Sequence, residues 1–255
     1  MSTLRYERQG SLGILRLDKA RGNAIDDALL EDMARWIVEA TRDDQLRGVL
    51  LASAHPKLFC PGLDLVSLVD RDREAMRDFM NRFATVLWGL FGLLKPVVAA
   101  INGPAVAGGC ILAMAADARV IARGAPIGLN EVKIGVPLPF GVARLLQDAV
   151  PPHSLAAIGL LGRNFRGEAA REAGLVHEVC SAARFQEVCL ARAEEFASKD
   201  PAAFAATKRY LRAGVSETLR AADALYRDEW LDCWFGAAAR RRIEEIVSEL
   251  QARRG

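Results

Sequence analysis

Four short apolar runs, Leu12–Leu17 (LGILRL), Gly48–Ala52 (GVLLA), Val97–Ile101 (VVAAI) and Ala118–Ala122 (ARVIA), do most to limit the folds open to this chain. Each has the length of one strand and is too short for a helix, and bounded runs of this kind suit strands buried in a core. Between the first two, DDALLEDMARWIVEATR has helical spacing behind a capping Asp26. A second helical segment runs from about 71 to 94 and ends before Pro96, and Gly109–Ala116 reads as a short buried helix. Strand and helix therefore alternate, which predicts an α/β core whose loops at the strand ends carry the glycines.

After Pro139 the strand signals thin out. Helical periods follow near 140–150, 152–161, 167–173, 181–198, 201–213, 216–235 and 237–252. Asp200-Pro201 supplies a cap and a first helical residue, while Gly174 and Gly214 stand where helices are expected to stop. The C-terminal stretch is rich in apolar residues, among them Leu219, Leu225, Trp230, Trp234, Phe235, Ile243, Ile246 and Leu250. So many in so short a segment predict packing on the core or on another subunit.

With 255 residues, 51% of them hydrophobic, the chain can bury a large core. Its net charge is only +2 and the two signs are interspersed, so neither nucleic acid nor an anionic membrane is indicated as partner. Five cysteines, an odd number without a C-x-x-C pair, argue against a disulfide framework and a zinc site, and fit a reducing compartment. His55, His153 and His177 lack metal-like spacing and read as surface or capping residues. No apolar run reaches the roughly 18 residues of a membrane span and the N-terminus lacks a signal-like core, so a cytoplasmic protein is expected.

Three glycine-bearing stretches remain as places for chemistry: FCPGLDL (Phe59–Leu65), INGPAVAGGC (Ile101–Cys110) and GLNEVKIGVPLPFG (Gly128–Gly141). The first two each follow a strand and turn toward a helix, which leaves backbone N–H groups free to face a polarised oxygen. Two such amides make an oxyanion hole. Neither stretch fits the phosphate-binding or dinucleotide-binding glycine patterns, and there is no G-x-S-x-G elbow.

These stretches, in this order, resemble the crotonase (enoyl-CoA hydratase/isomerase) superfamily, and LDKARGNAID (Leu17–Asp26) and REAGLVHEV (Arg171–Val179) extend the resemblance over nearly the whole chain. It implies a spiral of ββα units over residues 1–199 that holds an acyl-CoA site, followed by a helical trimerisation region over 200–255. The oxyanion amides are then those of Leu63 and Gly108, and Glu131 is the catalytic carboxylate. Arg21, Ala24, Pro61, Gly62, Asp64, Leu65, Ile111 and Asn130 fall on substrate-contacting positions. Coenzyme A enters as part of the thioester, no metal or other cofactor is implied, and a homotrimer or dimer of trimers is expected.

One departure carries the functional expectation. The family's hydratases place a second glutamate in the first turn of the helix after the second glycine loop, and here that position is Ile111. Hydration needs one group to activate water and another to handle the second proton, whereas moving a double bond needs one base that lifts a proton and returns it elsewhere. The pattern resembles the mitochondrial-type Δ3-Δ2-enoyl-CoA isomerases of fatty acid oxidation. The alternatives are a hydratase, another one-glutamate reaction of the superfamily, or a non-catalytic acyl-CoA-binding relative. Phe79, Phe83, Trp88 and Phe140 are candidates for the acyl pocket, and Asp64 is expected to cap or bond locally.

Overall fold

A computed structural model describes residues 2–20, 22–222 and 225–252. The chain runs β1 (Leu4–Gln9), β2 (Leu12–Leu17), α1 (Asp27–Arg42), β3 (Gly48–Ser53), α2 (Leu65–Leu68), α3 (Arg73–Gly92), β4 (Val97–Ile101), β5 (Ala105–Val106), α4 (Gly108–Met114) and β6 (Ala118–Ala122). It continues with β7 (Pro126–Gly128), α5 (Phe140–Ala149), β8 (Asn164–Arg166), α6 (Gly167–Glu172), β9 (Glu178–Cys180), α7 (Phe185–Ala197), α8 (Pro201–Ala222), α9 (Arg227–Phe235) and α10 (Ala237–Ala252).

The main sheet has the order β1-β2-β3-β4-β6-β9, and every pairing in it is parallel except β1 with β2. Period-two alternation explains why its central strands are apolar throughout. Leu15, Leu17, Val49, Leu51, Val97, Ala99, Ile101 and Ile121 face the large core with α1 and α3. Leu12, Ile14, Leu50, Val98, Ala100 and Val120 face the other way, against Cys189 and Ala193 of α7.

A second, smaller layer positions the site. After β2, β3, β4 and β6 of the main sheet the chain makes short further pairings: Ile25 bridges Leu63, Cys60 bridges Ala105, β5 pairs with β7, and β7 with β8. Successive turns of the spiral thus stack their glycine loops on one another. Asp26 caps α1 by accepting from the Leu29 N–H at 3.0 Å, and Asp200 caps α8 through the Ala203 N–H at 2.8 Å.

Some expectations need correction. No strand is predicted before Leu12, yet β1 forms there; its side chains are almost all exposed, so it has no apolar run to betray it. Strands do not end at Pro139, since β8 and β9 complete the two sheets. Gly214 does not stop a helix but lies inside α8, where a Cβ would meet nothing within 4 Å. The helix expected over 152–161 is a 3-10 turn, Pro152–Ser154, followed by a π turn, Ala156–Leu160. All five cysteines are free thiols and four are buried. Among the described residues no helix is long and apolar enough to cross a membrane.

Candidate active site

Gly62 and Gly108 come from loops 46 positions apart in sequence and meet because Cys60 pairs with Ala105. Gly62 has φ +103, a conformation that favours glycine, and a Cβ there would sit 3.0 Å from the Ala107 Cβ and 3.2 Å from the Gly108 nitrogen. Gly109 packs closer still, since its Cβ would fall 2.0 Å from the Cys60 carbonyl oxygen. Ala107, at φ 48, is the one non-glycine residue with positive φ among those described, and it turns the chain into α4. Strain of this kind costs about 1–3 kcal/mol and persists only where the surroundings enforce it. The bridge between Ile25 and Leu63 uses the Ile25 and Asp64 N–H groups, so among the described residues the Leu63 N–H donates to no backbone group, and neither does the Gly108 N–H at the first position of α4.

Both residues line a cavity of about 350 Å³. Ala24, Pro61, Asp64, Leu65, Ile111, Asn130 and Glu131 line it as well, so the expected positions converge except two. Gly62 stands behind the wall against Ala107 and Gly108. Arg21 lies outside the described residues. Asp64 occupies the N-cap position of α2, but its carboxylate makes no capping bond; its carbonyl accepts instead from the Ser67 N–H and Oγ.

Glu131 opens a 3-10 turn, Glu131–Ile134, directly after β7 and Asn130, and Gly135 closes the turn at φ +78. The residue as a whole is half-buried, yet its Oε2 is shut off from solvent and has no hydrogen-bond partner among the described residues. Burial pushes its carboxyl up to about 7. Ile111, 2% exposed, lines the same cavity from the first turn of α4.

The acyl-pocket candidates fare unevenly. Phe83 lines the cavity, while Phe79 is buried in the core. Trp88 and Phe140 do not line it; Phe140 stacks on Tyr226 with ring centroids 4.4 Å apart. The far wall comes instead from Trp230 and Trp234 of α9 and Ile246 and Leu250 of α10, residues that the sequence marks only as apolar surface in search of a partner. Leu219, from the same group, lies outside the described side chains. A second cavity of about 360 Å³ opens on the outer face of the main sheet beside α7, lined by Arg16, Asn102, Gln186 and Cys189 among others. It holds neither free loop amide nor Glu131, which makes the inner cavity the candidate active site.

The comparisons bear on the family and the fold. The family model described as enoyl-CoA hydratase/isomerase matches residues 7–231. A carnitinyl-CoA dehydratase from Escherichia coli K12 is 32% identical over 228 residues, covering 84% of this chain and 87% of the relative. Human mitochondrial Δ3-Δ2-enoyl-CoA isomerase superposes with a TM-score of 0.92 over 99% of this chain and all of the other, at 22% identity, a likeness of fold. A probable enoyl-CoA hydratase, EchA3, from Mycobacterium tuberculosis gives a TM-score of 0.84 at 27% identity, covering 89% of this chain and 95% of that one.

Proposed function

Since the chain belongs to the enoyl-CoA hydratase/isomerase family, we propose that it is a Δ3-Δ2-enoyl-CoA isomerase in which Glu131 is the single acid–base group. The observation that carries this reading is the pairing, in one cavity, of a carboxylate whose Oε2 is buried without a partner among the described residues with an aliphatic Ile111 where a second glutamate would help hold water.

In a 3-enoyl-CoA the Glu131 carboxylate takes a proton from the carbon next to the thioester. The electron pair left behind delocalises through the double bond onto the thioester oxygen. The Leu63 and Gly108 N–H groups donate to that oxygen as charge builds on it, and loss of one such donor typically costs about 100–1000-fold in rate. Protonated Glu131 then delivers the same proton to the γ carbon, and the product is the conjugated 2-enoyl-CoA. A carboxylate lifted toward neutrality by burial is a stronger base for the first step than an ordinary one, and near neutral pH it is still ionised in a large share of the molecules. Coenzyme A arrives as part of the substrate and no further cofactor enters. Residues 200–255 would serve both to wall the acyl cavity and to assemble a homotrimer or dimer of trimers.

A second reading, hydration or dehydration, is favoured by one observation. Asp64 lines the same cavity and offers a second carboxylate from the opposite loop. Parallel assays of the purified protein on 3-hexenoyl-CoA and crotonyl-CoA decide between the two. The isomerase reading expects fast conversion of the first and slow hydration of the second, and the reverse ranking would replace it with the hydratase reading.

A further inference from the structure

The outer cavity, about 360 Å³ beside α7, owes its floor to a change of side-chain size along the strands. Leu50, Val98 and Val120 fill the outer face of the main sheet. Two residues further along the same strands stand Ala52, Ala100 and Ala122. Side chains two apart in a strand share a face, so these alanines point to the same side as the aliphatic residues before them. A methyl group fills less of the space under α7 than the larger side chains do. Ala52 and Ala122 stay half-exposed, so the floor they help to form is open to solvent. Phe185 and Leu190 of α7 make the opposite wall.

One charged group stands at this floor. Arg16 follows Ile14 by two residues on β2, shares its outward face and pairs in the sheet with Ala52. It is the one cation among the residues lining the cavity, and none of them is acidic. Its Nη1 donates to the Glu7 Oε2 at 2.8 Å, while among the described residues its Nε and Nη2 have no hydrogen-bond partner. A guanidinium offers five N–H donors in a planar fork that matches a carboxylate. Glu7 is 58% exposed, and an ion pair this open to water is weak. It neither saturates Arg16 nor locks it in place. Arg16 itself keeps a quarter of its side chain accessible, so a ligand can reach it.

We propose that the outer cavity is a binding site for a small carboxylic acid with an apolar chain. The carboxylate pairs with Arg16, and the chain lies on Ala52, Ala100 and Ala122 against Phe185. The volume is within the range of small-molecule sites, and a mainly apolar wall with one orienting charge is their usual make-up. No lining residue is shared with the inner cavity, so the proposal rests neither on the acyl-CoA reading nor on the reaction assigned to Glu131.

Octanoate and octanamide, which share a chain and differ in charge, test it by calorimetry. The wild-type protein is expected to bind octanoate about tenfold tighter than octanamide or better. The two members of the ion pair should then move the result in opposite directions. Arg16→Gln should bring the ratio toward one, whereas Glu7→Gln, which removes the competing carboxylate, should tighten octanoate and leave octanamide unchanged. A merely structural ion pair would give losses of the same sign in both variants. Ala52→Leu, which fills the floor, should weaken both ligands together. Because Glu7 is exposed, its variant keeps the test alive if Arg16→Gln folds poorly. Equal binding of octanoate and octanamide, no binding of octanoate at millimolar concentration, or octanoate affinity unchanged in Ala52→Leu overturns the proposal.

Discussion

Glu131 combines two demands that conflict. As the proposed base it must be ionised, yet its Oε2 accepts no hydrogen bond from the described residues, and burial holds the carboxyl up at about 7. The pH dependence of kcat/KM follows, because it reports the ionisation of the free enzyme. Activity on 3-hexenoyl-CoA should rise about tenfold per pH unit below 7 and level off above it, and a profile flat between pH 5 and 8 would rule out Glu131 as the base. Stability runs in the opposite direction. The folded state binds the proton more tightly than the unfolded one, so the stabilisation is complete below the ordinary glutamate range and is lost as pH rises toward about 7. Glu131→Gln removes that loss. The variant should lose isomerisation by at least about 100-fold, yet at pH 8 it should be more stable than the wild type by up to about 3 kcal/mol, with the gap closing at pH 5. Urea denaturation at the two pH values checks this, and a destabilised variant at pH 8 would contradict it. The places of Glu131 and Ile111 in the cavity wall were legible in sequence because each lies in a short helical turn beside a glycine-bearing loop whose pattern is local. Trp230 and Trp234 were not, because nothing in an amphipathic helix states which distant surface it will cover.

At the scale of elements, the site is a product of stacking. Leu63 and Gly108 belong to consecutive turns of the spiral, and the Ile25–Leu63 and Cys60–Ala105 bridges hold those turns in register. Gly62 is where the two loops touch. Gly62→Ala would impose strain at φ +103 and press a methyl against Ala107 and the Gly108 nitrogen. A loss of about 1–3 kcal/mol in stability is expected, together with a fall of about 100-fold or more in turnover as the Gly108 amide is displaced. Thermal melts and single-substrate kinetics measure both, and activity within twofold of wild type would mean that the two loops are not coupled in this way. The four central strands were legible as apolar runs because they are covered on both faces. β1 lies at the sheet edge with its side chains largely exposed, and β5, β7 and β8 are two or three residues long, so none of them leaves a periodic signal. Gly214 misled for another reason. Its cost in an exposed helix, about 1 kcal/mol, is small beside the packing of the long helix α8 around it.

At the scale of the molecule, the C-terminal helices return to the core and supply one wall of the cavity, and a buried ionic cluster ties α8 to the sheet. Asp117, at the entry to β6, accepts from Lys208 at 2.7 Å and pairs with Arg212 at 2.7 Å, both on α8, and it also accepts the Val97 N–H at 2.7 Å. Asp117→Asn leaves two cations in the interior without their counter-charge, a change that typically costs about 3–5 kcal/mol. The denaturation midpoint should fall accordingly, and a loss under about 1 kcal/mol would show that the cluster does not anchor α8. The opposite side of the turn that carries Glu131 meets solvent. Val132, 41% exposed, follows Glu131 directly, and with Leu160, 75% exposed, it borders an apolar groove of about 420 Å³. Leu161, next in the chain, is 54% exposed. Apolar surface this concentrated marks an interface more often than a free face, and in the proposed trimer a second copy of the chain would cover it. Sedimentation at micromolar concentration should therefore give a trimer or a hexamer. Leu160→Glu, which places a charge on the rim of the groove, should shift the protein toward monomer and lower isomerisation, because the groove and the cavity share the turn that holds Glu131. A wild-type protein that is monomeric and fully active would show that the turn keeps its geometry unaided, and the covered-groove argument would fail.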